Sequence, residues 1–244
     1  MRLAELEKQF LRCISLSADQ WAFALLLGRA RERSNTLRLR TADRGSRGNL
    51  EVDLHGALGE LILYGMVLKQ PESEAAAAYM RRHLYVAGGG AGVIGPDLLF
   101  EEEGKPVGVD VKTFDCSTRK RYFAINNDKH LKLAGSCAGY MGLICARFSS
   151  IAFITRLIPY DDVSSWKCEA LRWNGSASRN LPIDEAILRY GACEYFSQKS
   201  RANVLDEEMI REAARATEPD SVMCRLGRWL PDVEPYLLDA QNGL

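Results

Sequence analysis

The chain has no Cys-x-x-Cys pair, no apolar run long enough to span a bilayer and only three histidines. Seven cysteines, an odd number without paired spacing, argue against a disulfide scaffold or a zinc ribbon and for reduced thiols. A membrane-spanning helix needs about 18 consecutive apolar residues, so no membrane association is expected. The stretch "MRLAELEKQFLRC" carries acids where a signal peptide needs an apolar centre, which points to a cytoplasmic protein. There is no internal repeat and no long low-complexity segment. A formal net charge of zero speaks against strong non-specific affinity for DNA.

What is present is an ordinary globular composition. Hydrophobic residues make up 47% of the 244 positions and charged residues 26%, enough to bury a sizeable core in one large domain or one domain with helical appendages. The neutral total hides an asymmetry. Residues 1–50 hold ten Lys/Arg against five Asp/Glu, whereas residues 203–244 hold four against nine. Seven arginines fall between Arg29 and Arg47. They suit either phosphate neutralisation or a solvated connector.

Residues 2–33 read as one or two helices, followed by an Arg/Ser/Thr/Gly-rich connector to about Asn49. Asp53 to Gln70 has helical periodicity, with Leu54, Leu58, Leu61, Ile62 and Leu68 on one side. "ESEAAAAYMRR" predicts a further helix, "HLYVA" a short strand, and Asn126 or Asn127 caps a helix reaching about Gly135. "YMGLICARF", "IAFITRLI" and "WKCEALRW" read as strands, and "PIDEAILRY" and "DEEMIREAARA" as helices. The pattern is that of a mixed α/β protein with a small central sheet. It divides into a helical N-terminal extension (1–49), a core (50–200) and a helical acidic C-terminal extension (201–244), expected to form one compact unit.

Gly90-x-Gly92-x-x-Gly95 has the spacing of a dinucleotide-binding loop. Such a loop needs a helix opening at its last glycine, whose N-terminus receives the pyrophosphate. Here Gly95 runs into Pro96 and the β-like "DLLF", so a nucleotide-dependent oxidoreductase is disfavoured and no nucleotide cofactor is expected.

The same region offers a second pattern. If "PDLLFEE" and "KPVGVDVK" pair around a Glu103-Gly104 turn, Phe100 faces Val107, Leu98 faces Val109 and Asp97 comes across from Asp110. Leu98, Phe100, Val107, Val109 and Val111 then share one apolar face. Asp97, Leu99, Gly108, Asp110 and Lys112 share the other. Opposed like charges destabilise a sheet, and a bound divalent cation reverses that sign. Carboxylates are hard ligands, which favours Mg²⁺ or Mn²⁺ over zinc. Lys112 is placed to hold a hydroxide nucleophile or offset charge on a phosphate. The alternative is a surface hairpin whose lysine balances its acids. A third acid, Glu60, shares a helical face with Asp53, Gly56 and Tyr64.

Glu60 on a helix, Pro96-Asp97 and Asp110-Val111-Lys112 together resemble the PD-(D/E)xK nuclease superfamily, over roughly residues 50–160. The resemblance implies a restriction-endonuclease-like core, a mixed central β-sheet flanked by helices. It also implies a metal-dependent endonuclease that hydrolyses DNA phosphodiester bonds, as in restriction, anti-phage defence or repair. Asp97 and Asp110 would hold Mg²⁺ (or Mn²⁺), with the Val111 carbonyl and Glu60 as further ligands, and Lys112 would position the nucleophile. Asn127, Lys129 and His130 on the following helix, and the basic Arg119, Lys120 and Arg121, are candidate nucleic-acid contacts. His55 and His83 read as structural. Cleaving both strands of a duplex calls for two sites, hence an expected homodimer. An RNA nuclease, a junction resolvase and a catalytically silent nucleic-acid-binding or assembly module are the competing readings.

Overall fold

A computed structural model describes residues 3–8, 12–37, 49–69, 72–83, 95–116, 122–170, 177–182 and 194–217. In chain order these form α1 (Leu3–Lys8), β1 (Arg12–Ser15), α2 (Ala18–Leu37), α3 (Asn49–Leu68) and α4 (Glu72–His83). Then come β2 (Leu98–Glu102), β3 (Lys105–Asp115), β4 (Tyr122–Asn126), α5 (Asn127–Lys132), β5 (Gly139–Cys145), β6 (Ile151–Ile154) and β7 (Ile158–Pro159). The remainder are α6 (Tyr160–Ser164), β8 (Lys167–Ala170), β9 (Ala177–Pro182), α7 (Glu194–Arg201) and α8 (Glu207–Ala216). The chain divides into two compact units, residues 1–15 with 94–204 and residues 16–93 with 205–244. The division runs through the span 50–200, leaving Glu60 in the second unit and Asp97, Asp110 and Lys112 in the first.

The first unit is an α/β structure around a mixed six-stranded sheet, ordered β1-β6-β5-β3-β2 with β7 also on β5. Among the described strands only β3 and β5 run parallel, joined by a crossover that contains β4 and α5; the other pairings are antiparallel. A second sheet, β4-β9-β8, shares its core with the first. Ile125 and Leu181 pack with Phe114, Tyr140, Ile144, Phe153 and Trp166. β5 is buried along its whole length, as a strand covered on both faces should be. Ser200 of α7 accepts from the Ala146 N–H at 2.7 Å, which ties that helix to the end of β5.

The β2–β3 hairpin sits at one edge of the large sheet. Its pairs are Leu98–Val109, Leu99–Gly108, Phe100–Val107, Glu101–Pro106 and Glu102–Lys105, the register the alternation predicts, but the ladder stops at Leu98 and does not include the expected Asp97–Asp110 pair. Glu103 (φ 52°) and Gly104 (φ 74°) make the turn with two positive φ values, which matches the twist of a two-residue hairpin. Gly108 is required for a different reason. A Cβ there would overlap the Pro96 ring and the Ser136 carbonyl oxygen.

The second unit is helical among the described residues. Ser17 and Gln20 form a capping box that starts α2: Ser17 Oγ accepts from the Gln20 N–H at 3.2 Å and Gln20 Oε1 from the Ser17 N–H at 3.0 Å. Trp21, Phe23 and Leu25–Leu27 of α2 are buried, as are Leu54, Leu58 and Leu63 of α3, Tyr79 and Met80 of α4, and Ile210 of α8. α3 was expected to show a polar side, yet Asp53, His55 and Glu60 are buried as well.

Three expectations need correction. Residues 12–15 form an edge strand paired with β6, interrupting the predicted N-terminal helices. Tyr122–Asn126 and Ala177–Pro182 are strands of a second sheet that the sequence reading did not contain. His83 ends α4 instead of opening a strand. The rest of "HLYVA", Gly90, Gly92, Asn174-Gly175 and most of "PIDEAILRY" lie outside the described residues. No helix among the described residues is long and apolar enough to cross a membrane.

Gly108→Ala should lower stability by about 1–3 kcal/mol or more, because neither the proline ring nor a backbone carbonyl moves aside cheaply. Urea denaturation checks this; an unchanged midpoint would contradict the close approach.

Candidate metal centre

Beyond the last hairpin pair, Leu98–Val109, strand β2 has no further residue to offer β3. The Asp97 side chain takes over. Its Oδ2 accepts from the Val111 N–H at 2.8 Å, satisfying a buried backbone donor. Pro96, immediately before, has no N–H to leave unpaired. Asp97 and Asp110 are both essentially excluded from solvent, at 2% and 0% exposure.

Two lysines offset these acids. Lys112, two residues along β3, reaches back to Asp110 Oδ2 and lies 3.3 Å from the Val111 carbonyl oxygen. Its ammonium is 5.8 Å from the centre of the Tyr140 ring, on the neighbouring strand β5. Lys129 comes from α5. Its Nζ is 2.6 Å from Asp110 Oδ1 and 3.4 Å from Asp97 Oδ1, so one ammonium touches both carboxylates. The Asp110 Oδ1 contact is off the line of a hydrogen bond, which leaves that buried oxygen compensated in charge but without an aligned donor. Burial alone would push the Asp110 carboxyl up; the charges of Lys112 and Lys129, with hydrogen bonds to Asp97 and Lys112, outweigh it and hold the group well below its ordinary value of 3.8.

The placement of Lys129 follows from local sequence. Asn126 ends β4 and caps α5, its Oδ1 accepting from the Lys129 N–H at 2.9 Å. That cap sets the phase of a six-residue helix and fixes the lysine's backbone. Asn127, the first residue of α5, is half-buried, and its Oδ1 meets no hydrogen-bond partner among the described residues.

His130 requires a correction. It was a candidate nucleic-acid contact, but it is buried, with Nδ1 at 2.7 Å from Tyr140 Oη and Nε2 at 2.9 Å from Ser164 Oγ. It also stacks on Tyr160 at 4.1 Å between ring centres. Burial, aided by Arg179, lowers its pKa, as fits a neutral imidazole in a polar core network. Burial and the Asp110 charge in turn push the Tyr140 hydroxyl up. Arg119, Lys120 and Arg121 lie outside the described residues.

Glu60 belongs to the second unit, on α3. There it pairs with Arg82 at 3.1 Å and His83 at 2.6 Å, both on α4. His83, read as structural from sequence, therefore carries a polar contact. Nearby in the same unit, Arg31 pairs with Asp53 at 3.1 Å and lies 3.4 Å from Tyr79 Oη. Arg31 is thus committed to the helical core, although it belongs to the arginine run considered for phosphate contact.

Within the first unit the donor set is Asp97, Asp110 and the Val111 carbonyl, all hard oxygen. An ammonium at the point shared by Asp97 Oδ1 and Asp110 Oδ1 marks a position already suited to a cation, and Asp110 Oδ1 lacks an aligned donor. These residues fit a hard divalent ion. Comparison of the chain with protein-family models, curated proteins and solved structures finds no match.

The downward shift of Asp110 has a consequence for acid stability. A carboxyl depressed on folding adds stability that is fully present above its unfolded value of 3.8 and is lost as pH falls through its lower folded value. Asp110→Asn should therefore be destabilising near neutral pH, and the gap to wild type should narrow as pH drops below 3.8. Urea melts across that range measure it; a gap that widens in acid would contradict the sign.

Proposed function

We propose that the chain is a metal-dependent nuclease that hydrolyses nucleic-acid phosphodiester bonds, most directly those of DNA, on a restriction-endonuclease-like core. One observation carries the proposal: the hairpin register and the Val111 hydrogen bond bring the buried Asp97 and Asp110 together with Lys112 beside them. The mixed sheet supports it, with the acidic hairpin followed by α5 and a parallel strand.

Asp97 and Asp110 would hold Mg²⁺ or Mn²⁺, with the Val111 carbonyl adjacent. A bound ion of this kind polarises a phosphoryl oxygen and lowers the pKa of water. Lys112, on β3 with its ammonium near the Val111 carbonyl and the Tyr140 ring, would fix the attacking oxygen and offset the charge that builds on phosphorus. Burial of the acids keeps their charge undiluted by bulk water. The proposal rests on residues of the first unit; the role of Glu60 stays with the resemblance and is a separate arm of the test.

A second reading has its own support. Two acids and two lysines balance without any ion, as in a catalytically silent nucleic-acid-binding module.

The test is cleavage of supercoiled, linear and single-stranded DNA, branched DNA and RNA with Mg²⁺ or Mn²⁺. Expected is chelator-sensitive cleavage that falls at least about 100-fold in Asp110→Ala and in Lys112→Ala, with Glu60→Ala run alongside. Cleavage that ignores chelator or survives both substitutions would overturn the assignment. Binding of nucleic acid without cleavage of any substrate would favour the silent module.

A further inference from the structure

Lys129 is not explained by the hydrolytic roles above, yet it makes the contact common to both acids. We infer that Lys129 is an internal counter-ion that occupies the cation position between Asp97 and Asp110 until a divalent ion displaces it. Metal loading is then an exchange of an ammonium for Mg²⁺ or Mn²⁺. This rests on the metal-centre reading.

Three features single out Lys129 as the displaceable cation. Its Nζ lies 2.6 Å from Asp110 Oδ1 and 3.4 Å from Asp97 Oδ1, on the two carboxylates that would hold the ion. The Asp110 contact is misaligned as a hydrogen bond, so breaking it loses less than breaking a linear charge-assisted bond. The side chain is 38% exposed, against 18% for Lys112, so Lys129 is the more solvent-accessible of the two. The backbone need not move, because the Lys129 N–H remains on the Asn126 cap. Lys112 is the less exposed of the two and is engaged by the Val111 carbonyl and the Tyr140 ring.

Charge decides the direction of the exchange. Two carboxylates and two ammonium groups are neutral together. A divalent ion entering beside both lysines would leave two uncompensated positive charges in a largely buried site, which is strongly unfavourable. Expelling Lys129 into solvent removes one of them and frees both oxygens. The released ammonium then stands on α5 at the margin of the site, where a substrate phosphate is the anion it can meet next.

The inference makes binding of metal alone the diagnostic quantity. Mn²⁺ binding to the full chain, without nucleic acid, is measured by electron paramagnetic resonance of free Mn²⁺ and by calorimetry. Lys129→Met should lower the Mn²⁺ Kd at least about tenfold, as expected when a competing charge is removed. Lys129→Gln gives the same direction should the Met variant fold poorly, and circular dichroism confirms folding of each. Lys132→Met, which removes an exposed charge from the same helix, should leave the Kd unchanged. Asp110→Asn should abolish binding in either background. If Lys129→Met and Lys129→Gln bind no more tightly than wild type while Asp110→Asn still abolishes binding, the counter-ion role is wrong and the metal centre stands. If neither wild type nor the Lys129 variants bind Mn²⁺, both fall together.

Discussion

Two carboxylates held out of water at one end of a β-hairpin are the constraint around which the first unit is arranged. Asp97 and Asp110 carry like charge, and burial alone would draw the Asp110 carboxyl upward. Neighbouring features supply the compensation. The Val111 N–H fixes Asp97, Lys112 reaches back along its own strand, and the Asn126 cap delivers Lys129 from the crossover helix. Gly108 lets Pro96 and the Ser136 carbonyl approach the strand that carries Asp110. Tyr140, hydrogen-bonded to His130, which Ser164 holds in turn, lies close to the Lys112 ammonium.

Such an arrangement costs stability unless charge is balanced, and balance by a partly exposed lysine differs from balance by a buried one. In the second unit the buried ions are matched helix to helix: Arg31 with Asp53, and Glu60 with Arg82 and His83. Those pairs link α2 to α3 and α3 to α4, which suits a role in fixing helix packing. In the first unit the compensating groups sit close to one another, and one of them, Lys129, has a side chain 38% exposed. The difference is what makes the Asp97–Asp110 pair a candidate for chemistry.

The hairpin was legible because its constraints were local. Strict alternation on both arms and a Glu-Gly turn leave one register that buries Leu98 and Val109, and that register brings the acids together. α3 was legible from periodicity, and α4 and α8 from runs of helix-forming residues. The edge strand Arg12–Ser15 was not, since four residues that are mostly exposed carry no apolar alternation. The second sheet escaped for a similar reason: "YFAIN" and "ASRNLP" owe their strand state to pairing across more than fifty residues. Lys129 and His130 were picked out as polar residues on the right helix, but their roles depend on helix phase. The cap turns Lys129 toward the acids and His130 into the Tyr140–Tyr160 stack. Periodicity over six residues is too short to give that phase.

The most direct measurement is a crystal structure of the full chain grown with Mn²⁺, with the ion located by anomalous scattering. Expected is a peak bonded to Asp97 Oδ1 and Asp110 Oδ1, with Lys112 in place and the Lys129 ammonium withdrawn from both carboxylates. No peak at these oxygens at saturating Mn²⁺, with Lys129 still bridging them, would contradict the metal centre and leave a charge-balanced structural cluster in its place.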